Sequence, residues 1–117
     1  MIHTPLTLPC GAHIANRLCK AAMTEGLAAP TGEPTEELNQ LYGLWSDGGA
    51  GLLLSGNVQM DGDHLERPGN VVVDSEPSIS MQVALERWAA AGTRAGNHFW
   101  AQISHAGRQC QKIGNPH

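Results

Sequence analysis

The stretch that most constrains this chain is residues 97–108, Asn-His-Phe-Trp-Ala-Gln-Ile-Ser-His-Ala-Gly-Arg. Phe99, Trp100, Ala101 and Ile103 make a short apolar run of the kind that forms a buried strand. Gln102 interrupts that run, and His105, Gly107 and Arg108 crowd together just past its end. Polar groups at the carboxyl end of an otherwise apolar strand mark the functional rim of a parallel α/β sheet or barrel. An amide in that position needs partners for its N–H₂ and its carbonyl. A planar heterocycle with alternating donors and acceptors supplies both.

The chain before this stretch repeats the pattern. Residues 6–8 and 14–18 are apolar and flank Pro9-Cys10-Gly11-Ala12-His13, which predicts a small hairpin leading into a longer strand. That first core strand, about residues 17–23, stops at Thr24-Glu25-Gly26. Pro34 stands at an expected first helical position, with Glu33, Glu36 and Glu37 favouring the positive end of the helix dipole. Leu38, Leu41, Tyr42 and Trp45 form the apolar stripe of a helix packed on a sheet, and Asp47-Gly48-Gly49 ends it with a left-handed glycine. Residues 51–54 predict a second strand ending in Ser55-Gly56-Asn57, where the glycine would let a ligand approach the backbone. After a polar stretch, residues 71–73 read as a short extended segment. Ser75 as cap and Pro77 in the first turn predict a second helix. Its apolar face is Met81, Leu85, Trp88, Gly92 and Ala95, widened by Ala89.

Hairpin, strand, helix, strand, helix, strand is the order of an α/β fold whose strands pair in parallel through right-handed crossovers. All three core strands carry polar residues or glycine at the carboxyl end, which points to one shared site. Three parallel strands leave two open edges and a sheet face short of cover. A closed eight-stranded barrel takes ~250 residues, and this chain has 117. The expected architecture is therefore the amino-terminal three-eighths of a TIM (β/α)₈ barrel with an N-terminal hairpin. Residues 1–117 would form one partial domain, truncated in the loop after the third strand. The alternative is a small three-strand sandwich complete in itself.

Composition narrows the function classes. The net charge of −4 gives no electrostatic footprint for nucleic acid or an anionic membrane. No apolar run approaches the ~20 residues that cross a bilayer, and the N-terminus lacks the pattern of a secretory signal, so a cytoplasmic location is expected. Cys10, Cys19 and Cys110 are too scattered for a disulfide framework or zinc site and read as reduced thiols. The six histidines show no metal spacing, so no metal is expected.

Four stretches together resemble the old yellow enzymes, the NADH:flavin oxidoreductase family. They are Leu6-Thr7-Leu8 with Ala15-Asn16-Arg17-Leu18; Ala22-Met23-Thr24; Gly51-Leu52-Leu53-Leu54-Ser55-Gly56-Asn57-Val58; and Ala101-Gln102-Ile103-Ser104-His105-Ala106-Gly107-Arg108. The resemblance implies an FMN-binding barrel that passes hydride from NAD(P)H, through the flavin, to an enone or similar activated alkene. Ala22, Met23 and Thr24 are similar to the segment along the flavin ring, with Thr24 as the hydroxyl on its O4 side. Gly56 and Asn57 resemble the second-strand backbone contact, and Gln102 the glutamine that pairs with the pyrimidine edge. Negative charge gathers at that edge when the ring is reduced, and fixed donors there would stabilise it. His105, Arg108 and Arg17 are expected to be architectural.

Two departures stand out. Ala22 replaces a proline common in the family, and no tyrosine stands near Gly26 to cover a substrate. The family's substrate-activating histidine or asparagine pair, its proton-donating tyrosine and its phosphate holders come from later strands. The chain alone is therefore expected to bind FMN poorly and to be inactive. Three other readings stay open. One is a non-catalytic truncated fragment. Another is a half-barrel that pairs, through its open edges, with a complementary chain or a second copy. The third is a piece of a flavin–iron–sulfur enzyme similar to a dienoyl-CoA reductase.

Overall fold

The computed structural model describes residues 1–112; the end of the expected final loop, residues 113–117, lies outside them. The hairpin is present: β1 (Leu6–Thr7) pairs antiparallel with β2 (His13–Ile14). Arg17 ties it to the first core strand, donating from Nε to Thr4 Oγ1 at 3.2 Å and from its other end to the Pro5 carbonyl at 3.3 Å. The architectural role expected for Arg17 is the one it fills.

Four further strands make a parallel sheet: β3 (Cys19–Lys20), β4 (Leu52–Gln59), β5 (Val71–Val72) and β6 (His98–Ser104). Leu52 and Leu53 pair with β3 on one edge of β4 and with β6 on the other. Val58 and Gln59 pair with β5 and β6, so β3 and β5 share one edge of β4 in succession. The first core strand is thus shorter than the expected 17–23. Its edge is taken over by β5 beyond Lys20, and residues 21–27 run on without strand geometry.

Helices α1 (Glu36–Asp47) and α2 (Ile79–Thr93) cover one face. Both begin one or more residues later than expected, for one reason. A side-chain hydroxyl must accept a free first-turn N–H. Thr35 does so for Leu38 and Ser78 for Met81, so Pro34 and Pro77 precede the caps. Ser75 instead bonds Asp74. The left-handed glycine after α1 is Gly49, while Gly48 stays helical.

The core lies between helices and sheet: Leu38, Tyr42, Leu53, Val58, Val71 and Trp88, with Trp45, Leu85 and Phe99 against it. Tyr42 is its centre, stacked on Phe99 at 4.8 Å and edge-on to Trp45 and Trp88. A Cβ on Gly92 would stand 2.2 Å from the Phe99 ring, so glycine there lets α2 close onto β6. Ala89 and Ala95, expected on the apolar face, are exposed; Ala95 lies past the helix end. Both faces of β6 are partly open among the described residues: Trp100, on the side of Gln102, is 40% exposed, and Ile103, on the side of Phe99, is 65% exposed. This corrects the expectation of a buried strand. Phe99 is the β6 side chain that packs against the core.

Candidate functional site at the strand ends

Strict alternation along β4 would place Asn57 on the same side as Leu53, facing the helices. It does not, because β4 carries a bulge. Leu54 pairs with Trp100 and Asn57 with Gln102, so β4 uses three steps where β6 uses two. The extra residue returns Val58 to the core and turns Asn57 to the side of Gln102. The ladder is patched by Ser55, whose Oγ accepts the Gln102 backbone N–H at 2.9 Å and donates to the Gly56 carbonyl at 2.7 Å.

At the rim, three of the sequence-predicted residues converge. Gln102 Nε2 donates to Asn57 Oδ1 at 2.7 Å. Asn57 Nδ2 donates to Glu66 Oε2 at 2.7 Å, and Thr24 Oγ1 donates to the same oxygen at 2.9 Å. Glu66 comes from the loop after β4, and Arg67 beside it donates to the Thr24 carbonyl at 3.3 Å. Burial works against the charged form of Glu66, but donation from Asn57 and Thr24 and the Arg67 charge outweigh it and hold its carboxyl below the usual range.

Ala22, Met23 and Gly56 behave differently. Met23 is half exposed and Ala22 partly buried, both on the irregular segment beside β4. Gly56 is buried, and its N–H donates to Tyr42 Oη at 3.0 Å. A Cβ there would meet the Met23 carbonyl at 2.4 Å and Glu25 Oε2 at 2.6 Å. Glycine at 56 therefore makes room for the chain's own exit segment. Both its polar groups are used inside the wall, which corrects the expectation that it bares backbone to a ligand.

Behind that wall is a network the sequence reading missed. The Tyr42 hydroxyl donates to Glu25, and burial first, then the Glu25 carboxylate, push its ionisation far above the ordinary phenol value. Lys20 Nζ donates to the Leu54 carbonyl at 2.6 Å and lies over the Tyr42 and Trp45 rings. Burial lowers its pKa against the pull of Glu25. A lysine inside an apolar strand was the signal available for this network. Glu66 offered none, since it sits in a polar loop and its rim partner Thr24 lies 42 residues away in sequence. Gln59, two residues past Asn57, is fully buried and its amide finds no partner among the described residues.

His105 joins Asp61 and His64 in a small cluster. Asp61 Oδ2 lies 2.8 Å from His64 Nδ1 and 3.4 Å from His105 Nε2. The three ligand atoms are close enough to enclose a metal ion. However, His105 Nδ1 already accepts the Gly107 N–H at 2.9 Å, so its proton sits on Nε2, the atom a metal would need free. The cluster is a hydrogen-bonded clamp that pins the loop after β4 to the end of β6, the architectural role expected of His105. The three cysteines are unpaired.

A wall of parallel strands backed by helices, with amides and a hydroxyl gathered at the strand ends, defines part of a TIM-type α/β barrel with a polar rim. Comparison with known proteins agrees. No protein-family model matches the chain. It is 39% identical over 107 residues to the NADH-dependent flavin oxidoreductase iliE of Hypocrea jecorina (strain QM6a), covering 91% of this chain and 27% of that one. With its namesake from Neonectria sp. (strain DH2) the figures are 41% over 111 residues, 92% and 14%. The old yellow enzyme from Trypanosoma cruzi superposes with a TM-score of 0.81 at 19% identity, over 97% of this chain and 29% of the enzyme. A 2-naphthoyl-CoA reductase superposes with a TM-score of 0.85 at 18% identity, over 96% and 16%. The chain is thus similar in sequence to NADH-dependent flavin oxidoreductases and in fold to old yellow enzymes, and spans under a third of the length of these relatives.

Proposed function

We propose that residues 1–112 supply the first strand-end wall of the flavin site in an FMN-dependent oxidoreductase that uses NAD(P)H to reduce an activated alkene. The observation that carries this reading is the line Thr24–Glu66–Asn57–Gln102, which joins three strand ends at 2.9, 2.7 and 2.7 Å. When bound, FMN supplies the hydride relay between nicotinamide and alkene. The chain's own part is to hold the ring. Gln102 is exposed at the rim and offers an amide to the pyrimidine edge, while Ala22 and Met23 offer an apolar border. Tyr42 fixes the Gly56 amide and so the shape of the wall behind. None of these residues moves a proton to substrate, and the groups that do so belong to the rest of such a barrel.

The residues fit a flat ring with hydrogen-bonding edges: the Gln102 carbonyl is unpaired among the described residues, and the rim faces away from the packed core. Fold likeness extends to the 2-naphthoyl-CoA reductase as well, so the fold is common to several enzymes. The higher identity with the NADH-dependent flavin oxidoreductases favours that branch. A cytoplasmic location fits unpaired thiols and the absence, among the described residues, of a helix long and apolar enough to cross a membrane.

The test is a chimera in which this chain replaces the matching stretch of the Hypocrea relative. A folded chimera should purify yellow and consume NADH when 2-cyclohexenone is added, and Gln102→Leu should lower its flavin content. A folded but colourless chimera would end the proposal. The exposed side chains of β6, Trp100 on one face and Ile103 on the other, favour a second reading, in which a complementary chain or a second copy closes the barrel. Sedimentation of the purified chain as a monomer at all concentrations would dismiss self-association.

A further inference from the structure

One edge of β4 has a gap. Lys20, the last residue of β3, pairs with Leu53, and Val71, the first of β5, pairs with Val58, so residues 54–57 have no strand beside them on that edge. The bulge falls in the same stretch. Backbone groups left out of a ladder need other partners, and here side chains supply them. Lys20 Nζ donates to the Leu54 carbonyl at 2.6 Å, and the Gly56 N–H donates to Tyr42 Oη at 3.0 Å. The one proton of the Tyr42 hydroxyl goes to Glu25, so its oxygen is left to accept. Lys20 itself is half-buried on the helix side of the sheet, where a charge needs compensation. No carboxylate lies within ion-pair distance of it among the described residues. Its compensation is the Tyr42 and Trp45 rings, at 5.1 and 4.5 Å, together with the Leu54 carbonyl.

We propose that Lys20 and Tyr42 are positioning residues: together they stand in for the missing strand across residues 54–57, hold the bulge in place, and so keep Asn57 turned toward Gln102 on the rim. The plain alternative is that the Lys20 stem and the Tyr42 ring only fill space beneath the helices. Side chains of the same bulk that lack the polar end separate the two roles. What Asn57 then does for a ligand rests on the flavin reading above, but its placement is a property of the chain itself.

The experiment is isotope-labelled NMR of the 117-residue chain and of two variants, Lys20→Met and Tyr42→Phe. Each variant keeps the packing and drops one hydrogen bond to the bulge. In the wild type, coupling across the hydrogen bond should link Lys20 Nζ to the Leu54 carbonyl carbon, and the side-chain amides of Asn57 and Gln102 should show a mutual Overhauser contact. In both variants that contact should be lost, and the Gln102 backbone N–H should exchange about tenfold faster, the order expected when one buried partner is removed. The contact between the Trp88 and Phe99 rings should stay, showing that the core is intact. Retention of the Asn57–Gln102 contact in either folded variant overturns the proposal and leaves a packing role. So does a wild type without the Lys20–Leu54 coupling. If Lys20→Met does not fold, Tyr42→Phe and the wild-type coupling decide. A colourless chimera in the test above, with these results obtained, counts against the flavin reading while the positioning role stands.

Discussion

The helix side and the strand-end side of the sheet are built by opposite rules. On the helix side, Tyr42, Leu38, Leu53 and Trp88 are almost wholly buried and meet ring to ring. On the rim, Thr24, Asn57, Glu66 and Gln102 are partly or fully exposed and meet amide to carboxylate. The bulge at Ser55-Gly56 is the seam between them: it lets one strand serve the core with Leu53 and Val58 and the rim with Asn57. Apolar packing resides on one side, and the polar hydrogen-bonded line on the other, so substitutions on the two sides should separate cleanly.

The largest effect is expected at the seam's core side. Tyr42→Ala removes the central ring and the partner of the buried Gly56 N–H, and should cost about 3–5 kcal/mol in chemical denaturation. A loss under ~1 kcal/mol would show that Tyr42 is not the centre of the packing. Next comes Gly92→Ala, whose new methyl meets the Phe99 ring and should cost about 1–3 kcal/mol by overpacking. Tyr42→Phe belongs in the same range, since it keeps the ring and orphans one buried N–H; equality with wild type would mean that water replaces the hydroxyl.

Rim substitutions should register in pH dependence more than in stability at neutral pH. The Glu66 carboxyl is held below its ordinary value, so it favours the folded state above the unfolded pKa of about 4.3. That contribution is lost as pH falls through the lower folded value. Asp61 and Asp47 slope the same way, the first through the Asp63 N–H and the second through Arg94. Glu66→Gln should therefore flatten part of the acid limb of a melting-temperature curve, and an unchanged limb would deny the rim carboxylate its charge. The smallest effect belongs to Arg94→Ala, which breaks a pair with Asp47 exposed on the surface. At neutral pH and moderate salt it should fall within the error of a melting experiment, and a large drop would mean that the helix side extends further out than its core.

The same division governs what could be read from the sequence. The stripe Leu38, Leu41, Tyr42 and Trp45 gave α1, because burial imposes a period that any neighbour must respect. Thr24, Asn57 and Gln102 were legible as polar interruptions at strand ends. Glu66 was not, because its role arises from a loop crossing back over the rim, and no local period records that return. The shift of each helix start past its proline was hidden similarly: a hydroxyl accepts whichever N–H lies nearest, and several hydroxyls stood within reach. Gly56 was read as an opening, since a missing side chain looks the same whether ligand or backbone fills the space.

The bare indole of Trp100 has a practical use. Trp88 lies buried between α2 and the sheet and Trp45 is partly buried with Lys20 over its ring, so a dissolved quencher such as acrylamide should reach Trp100 before the other two. Whatever comes to lie along the last strand, from another molecule or from a longer version of this chain, would shield that emission. The protein thus carries a built-in optical gauge of whether its barrel has been closed.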